Sequence, residues 1–352
     1  MPSSATPGPP SKQRSLLVFS CHEAWVYQLR WLECPLDIVV GLRGRPAGWD
    51  KCMRPVPPGA RLIGLEVARR SPQPYACVIA HNLSDLLDAK TLPGPRLLVL
   101  HETLDGAALE QQLPVPVGQF RETVAQFVDL TATHVVAVSC LKGRSWGFEN
   151  DVVPFSADAA DYLPWQGDTA RGLRVSNHIL RRPRILRWDF HQQAFGGLPV
   201  TLVGHNPGMD GVRPASHWGQ LKEILSQHRF YIHTADPQLE DGYNMATLEA
   251  MAAGLPVLGN RHPTSPVEHG VSGFLSDDPA ELRGYALRLL ADPELAARLG
   301  AAAREAVSRQ FSGARFARDF RRSLAAAQGR WMEHTERLSP RAPGSRAEVA
   351  VS

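Results

Sequence analysis

Residues 240–276, EDGYNMATLEAMAAGLPVLGNRHPTSPVEHGVSGFLS, decide how this chain is read. Two acids, Asp241 and Glu249, are separated by seven residues. A turn-forming Asp241-Gly242 and Asn244 lead into the apolar, Ala-rich run Met245 to Ala253, which predicts a helix. Gly254-Leu255-Pro256 stops that helix, and Val257-Leu258-Gly259 reads as the next strand. A loop that delivers a helix N-terminus makes an anion site, because the first N–H groups lack intrahelical partners and the helix dipole favours negative charge. Glu249 falls about one turn into the helix. There a carboxylate can reach ribose hydroxyls while the N–H groups hold a diphosphate, which outlines a nucleotide-sugar site.

Outward from this stretch, short apolar runs recur at Leu16–Phe19, Leu36–Val40, Leu62–Val67, Cys77–Ala80, Leu97–Leu100 and Val135–Val138. A Pro/Asp/Gly-rich segment, Asp158–Gly172, then reads as a linker. The pattern restarts with Leu173–Ser176, Val200–Val203, Phe230–His233 and Val257–Leu258. Near-continuous apolar strands separated by crossover-length stretches predict parallel sheets covered on both faces. The expected fold is α/β, with two Rossmann-like doubly wound domains facing across a cleft. Residues 1–13 are expected to be a flexible leader, 14–165 the first Rossmann-like domain, 166–330 the second, which holds the nucleotide-sugar site, and 331–352 a disordered tail. Ligands in such sheets bind beyond the carboxyl ends of the strands.

Composition narrows the function. At 352 residues the chain suits two domains, and 43% hydrophobic with 21% charged residues is a globular composition. A net charge of +3 does not suggest a nucleic-acid partner. No apolar run approaches the roughly 18 residues needed to span a bilayer. The N-terminal MPSSATPGPPSKQR has no apolar core of a secretory signal, so the expected compartment is the cytoplasm. The five cysteines are odd in number and lack CxxC spacing, which suits buried thiols better than disulfides or zinc. Between Arg298 and Arg346 stand eleven Arg and four acids. A solvated basic surface is the plainer reading; weak peripheral contact with an anionic inner membrane face is the alternative.

The acid pair with Ala250-Met251-Ala252, Gly254, Pro256 and Val257 resembles the donor-site signature of the family 4 retaining glycosyltransferases, which have the GT-B fold. That family usually has Glu at the first acid, so Asp241 departs by one methylene and Glu240 is its rival. The resemblance extends to Cys77-Val-Ile-Ala-His81-Asn82, Leu97-Leu-Val-Leu-His101-Glu102 and Val153-Pro154-Phe155-Ser156-Ala157-Asp158, and to the turn Leu202-Val203-Gly204-His205-Asn206-Pro207-Gly208. It implies that residues 14–165 bind the acceptor and residues 166–330 the nucleotide sugar, and that sugar is transferred from the nucleoside diphosphate without a metal, with no cofactor and no metal site. Asp241 would face the transferred sugar, Tyr243, Asn244 and Met245 would bring N–H groups to the diphosphate, and Glu249 would hold the ribose. Gly204 would let the donor approach.

The family's Gly-Arg…Lys-Gly pair after the first donor-domain strand is replaced here by Val175-Ser-Asn177-His178-Ile-Leu-Arg181-Arg182-Pro-Arg184-Ile-Leu-Arg187. This segment holds four arginines and no acid. Arg181 with Arg187, or His178 with Arg184, keeps the usual spacing; Arg182 and Arg184 are further candidates for the phosphates. By resemblance, His101 at a strand end would contact the donor sugar or the departing phosphate. His81, Glu102 and His22-Glu23 are weaker candidates, and the last is no zinc motif because position 26 is Val26. The base, the sugar and the acceptor (saccharide, lipid-linked, protein or small metabolite) stay open. A nucleotide-sugar epimerase and a non-catalytic binding protein are the rival functions.

Overall fold

The computed structural model describes residues 14–45 and 47–338; the expected leader and residues 339–352 lie outside them. Strand β1 (Leu16–Phe19) leads into α1 (Glu23–Val26) and a 3-10 turn over Tyr27–Leu32. Then come β2 (Leu36–Val39), β3 (Arg61–Ile63), α2 (Leu65–Arg69), β4 (Cys77–Ala80) and α3 (Leu83–Asp88). β5 (Arg96–Leu100), α4 (Leu104–Gln111), α5 (Val117–Leu130), β6 (Thr133–Ala137) and α6 (Cys140–Trp146) complete the first unit. Its strands run parallel in the order β3-β2-β1-β4-β5-β6. Every residue of β1, β2, β4 and β5 is buried, as expected of a sheet covered on both faces.

The second unit contains β7 (Thr169–Val175), α7 (Trp188–Phe195), β8 (Val200–Val203), α8 (Trp218–Gln227), β9 (His228–His233) and α9 (Met245–Ala253). It continues through β10 (Val257–Gly259), β11 (Gly273–Leu275), α10 (Pro279–Ala291) and α11 (Pro293–Gln310). Its parallel order is β11-β10-β9-β7-β8. Strand order reverses at β1/β4 in one sheet and at β7/β9 in the other, the places where doubly wound folds open a crevice. Asp278 and Asp292 cap α10 and α11, each followed by a proline already set for a helical first turn.

Three boundaries differ from the sequence reading. The run Leu62–Val67 divides into a short edge strand and α2, because Gly64 breaks the extended segment. Strand β7 begins at Thr169, inside the expected linker. The tail expected from residue 331 is helical through Leu338, as part of α12 (Gly313–Leu338).

This last helix leaves the second unit and packs on β5, β6 and the Tyr27–Leu32 turn of the first. Phe316 and Phe320 stack on each other and meet the Trp25 indole edge-on at 6.1 and 5.6 Å. Burying each such ring contributes about 1.5–3 kcal/mol. The cysteines are less buried than expected. Only Cys77 is fully enclosed, Cys52 and Cys140 are exposed, and all five are free.

Candidate active site

A cavity of about 340 Å³ opens where the carboxyl ends of the two sheets face each other. One wall is built by α9. Asn244 caps that helix: its side-chain oxygen accepts the Thr247 N–H at 2.9 Å, and the Thr247 hydroxyl accepts from the Asn244 N–H. The cap fixes where the helix starts, and Asn244, Met245 and Ala246 line the cavity with the helix's first turn. Gly254, at φ +91°, ends the helix in a conformation side chains rarely adopt. From Thr247 to Ala253 every residue is buried, so the all-round apolar sequence is that of a core helix carrying one carboxylate, Glu249. Tyr243 does not reach the cavity; its ring packs between Phe155 and Phe311.

Glu249 lines the cavity, yet it is not alone there. Arg54, from the irregular segment between β2 and β3, crosses from the opposite unit and forms an ion pair with it. Both side chains are almost wholly buried, and the Arg54 guanidinium lies over the Trp218 indole at 4.6 Å. Burial draws the guanidinium below its usual pKa.

The neighbouring acids divide differently from expectation. Glu240, not Asp241, lines the cavity; the Asp241 carboxylate is turned into the protein at 1% residue exposure. The Lys142 ammonium, on α6 of the first unit, lies 2.8 Å from Glu240 Oε1 and 3.2 Å from Asp241 Oδ2. Burial opposes charge on Lys142, but the two carboxylates outweigh it and hold its pKa above the usual lysine value. Burial likewise opposes ionisation of Glu240, and Lys142 outweighs it, leaving that carboxyl below the usual range. Arg182 extends the chain, 3.6 Å from Glu240 and 3.1 Å from Glu110 on α4. Glu110–Arg182–Glu240–Lys142–Asp241 therefore alternates in sign and crosses the cleft.

Of the arginine cluster, only Arg182 lines the cavity. Arg181 and Arg184 are exposed. Arg187 lies over the Phe190 ring and 3.4 Å from Asp277, away from the cavity lining. His178 lies 5.1 Å from His205, ring centre to ring centre, and does not line the cavity either. The turn around Gly204 does: a Cβ there would stand 2.1 Å from the Ser176 carbonyl, so only glycine lets the ends of β7 and β8 approach. Asn206 secures that turn, accepting the Ile179 N–H and donating to Ser176 O, both at 2.8 Å.

Three histidines converge from the ends of β1, β4 and β5. His81 Nδ1 and His101 Nε2 share a hydrogen bond of 2.8 Å, and the His22 ring centre is 4.6 Å from that of His101. Trp25 presents its indole to both His81 and His101. The His81 backbone N–H donates to Asp85 Oδ2 at 2.8 Å, and Asn82 caps α3 beside it. Desolvation pushes His81 and His101 well below the ordinary histidine pKa, and their mutual repulsion with His22 pushes the same way. His101 and His22 line the cavity; His81 stands behind His101 and fixes which ring nitrogen it uses. Among the described residues, no group of three or more His, Cys, Asp or Glu is arranged to hold a metal ion. Glu102 does not line the cavity.

Sequence reasoning missed Arg54 and Lys142. Lys142 was findable, since it follows the β6 apolar run as His22, His81 and His101 follow theirs. Arg54 sits in a segment with no periodicity and carries no such signal.

Known proteins share this architecture. Residues 182–322 match the sequence model of a family described as Glycosyl transferase-like. A 76-residue stretch is 37% identical to N-acetyl-alpha-D-glucosaminyl L-malate synthase of Bacillus anthracis, spanning 20% of this chain and 20% of that enzyme. The fold resembles Anabaena HepE, solved with UDP and glucose, with a TM-score of 0.63 at 13% identity over 89% of this chain and 100% of that one. It also resembles sucrose-phosphate synthase of Thermosynechococcus elongatus, with a TM-score of 0.59 at 15% identity over 93% and 100% of the two chains. The fold is GT-B. Among the described residues no helix is long and apolar enough to cross a membrane.

Proposed function

We propose that this protein is a retaining glycosyltransferase that moves a sugar from a nucleoside-diphosphate sugar to an acceptor hydroxyl. The observation that carries the proposal is the capped N-terminus of α9 opening into the interdomain cavity, with Glu249 one turn behind it. The free N–H groups of the first turn suit the diphosphate, and the Glu249 carboxylate suits the ribose. Val203, Pro214, Ala215 and Leu221 supply an apolar wall for the base.

In a same-face transfer, the bond from the anomeric carbon to the diphosphate oxygen breaks as the bond to the acceptor oxygen forms. The acceptor's proton passes to the departing phosphate oxygen. The protein's task is to stabilise the charge growing on that phosphate, a role that in this scheme falls to the helix N–H groups and Arg182, which line the cavity. Neutral His101 can donate one hydrogen bond to a sugar hydroxyl or phosphate oxygen. Glu240, held ionised by Lys142, can accept from the sugar's hydroxyls or steady positive character at the anomeric carbon. No metal takes part in this scheme, and the acceptor's chemistry is left open.

Incubating purified protein with a panel of nucleoside-diphosphate sugars tests the proposal. Slow donor hydrolysis, accelerated transfer on adding an acceptor, and a product of unchanged anomeric configuration are expected. Epimer formation, or binding with no turnover, would replace it with an epimerase or a binding protein.

A further inference from the structure

Arg54 belongs to the half of the molecule expected to bind the acceptor, yet its guanidinium is buried against the carboxylate expected to bind the donor's ribose. We propose that Arg54 is a donor-contacting cation, steadied by one Glu249 oxygen and aimed at the diphosphate, while the other Glu249 oxygen takes the ribose. This rests on the nucleoside-diphosphate reading above and adds the residue that reading lacks.

Four observations lead to it. First, the arginines after β7 leave the cavity short of cations. Arg181 and Arg184 are exposed and Arg187 stands near Asp277. Second, the other cavity-lining cations are held by acids unconnected with a ribose: Lys142 by Glu240 and Asp241, Arg182 by Glu110 and Glu240. Third, Met245 and Glu249 are four residues apart on α9, so they share one helix face about 5–6 Å apart. A guanidinium on Glu249 therefore lies within about one turn of the amides that would hold the diphosphate, and its fork of donors can serve both groups. Fourth, Arg54 is already organised. Its carbonyl accepts the Trp49 indole N–H at 2.7 Å, its Nη1 donates to Met53 O at 2.7 Å, and Trp218 supports its flat face.

A diphosphate bound this way is gripped by both halves at once, so donor binding itself holds the cleft closed over His101. Part of the charge that meets the leaving group then comes from the facing domain, beside Arg182 and the α9 amides of the donor's own unit, and the site is complete only when the two are together.

The test is calorimetric titration of the full-length protein with UDP, GDP and ADP, and with uridine, guanosine and adenosine. In Arg54→Met the preferred nucleoside diphosphate should bind about ten- to hundredfold more weakly. The matching nucleoside should change by less than about threefold, and Arg54→Lys should fall between. Arg54→Met leaves a buried carboxylate without its cation. The Arg54→Met/Glu249→Gln double variant removes both charges; measured against Glu249→Gln alone, its added loss should again fall on the diphosphate. Equal or tighter diphosphate binding in the single or double variant overturns the proposal and makes Arg54 a plug that competes with the donor. A wild-type protein that binds none of the diphosphates overturns the donor reading beneath it, and this inference with it.

Discussion

The Lys142 ammonium and the Glu240 carboxylate meet at 2.8 Å although one belongs to the first sheet's unit and the other to the second's. Lys142 is 3% exposed at its side chain and serves Asp241 as well, so one buried cation neutralises two acids across the cleft. Removing it alone strands both carboxylates. Lys142→Met should lower stability by about 3–5 kcal/mol and lower turnover more than a surface lysine substitution does. Denaturant melts and donor hydrolysis rates measure the two effects. Unchanged values for both would mean the pair is incidental.

Within the arginine cluster the effects should be unequal. Arg182→Ala should cost about ten- to hundredfold in turnover, because Arg182 faces the cavity and bridges Glu110 and Glu240. Arg181→Ala and Arg184→Ala, both at exposed positions, should be close to silent. Steady-state kinetics on the set decides it; equal losses at all three would contradict the geometry.

Glu249→Gln should weaken nucleotide binding by about ten- to hundredfold, and it should also destabilise the fold, since Arg54 loses its buried partner. The spacing to Asp241 and the helix position alone suggest that binding suffers more than folding. A variant that melts normally and binds nucleotide normally would remove Glu249 from the site.

Acid should weaken the fold through histidines kept neutral. Burial lowers the His233 pKa from 6.5 to about 4 while its Nε2–H donates to the Asp241 carbonyl. Above about 6.5 the imidazole is neutral in both folded and unfolded chains, and its full contribution is present. Between 6.5 and about 4 the unfolded chain takes up a proton that the folded one refuses, so stability falls with pH. The loss is on the order of 3 kcal/mol for this one group. His81 and His101, which burial holds well below the ordinary histidine value, add to the loss in the same direction. Melting temperatures across this range should show a shallower slope in His233→Asn; an identical slope would rule this residue out as a cause.

Turnover should persist in excess chelator. In the proposed scheme the helix N–H groups of Met245 and Ala246 and the cavity's cations meet the leaving diphosphate, the task other transferases give to a carboxylate-held ion. Loss of activity with chelator and rescue by one divalent metal would refute the mechanism.

The sheets were legible because apolar runs such as Leu97–Leu100 leave a buried strand as the only economical reading. The helix at Met245–Ala253 was legible because its start and stop residues are written beside it. The strand-end rule found His101, since a polar residue after such a run must emerge at the crevice. It could not say that His81 lies behind it. The acids were harder. Asp241 and Glu240 are neighbours, and both meet Lys142, almost a hundred residues earlier, so nothing local tells which one faces the cavity. Arg54 was invisible for the same reason: an ion pair between distant loops leaves no periodic trace. The arginine segment misled because charge density alone does not tell a side chain facing the cavity from one facing water.

The packing of α12 on the first sheet has a bearing on how the chain matures. Trp25 sits beside β1 and precedes Phe316 and Phe320 by nearly three hundred residues, so it is synthesised long before the rings it packs against. An N-terminal domain ordinarily folds as soon as it is made. Here the face of that domain that Phe316 and Phe320 cover can be closed only after the second domain has been synthesised and α12 returns. Premature termination before Gly313 would therefore damage the half of the protein that was made first.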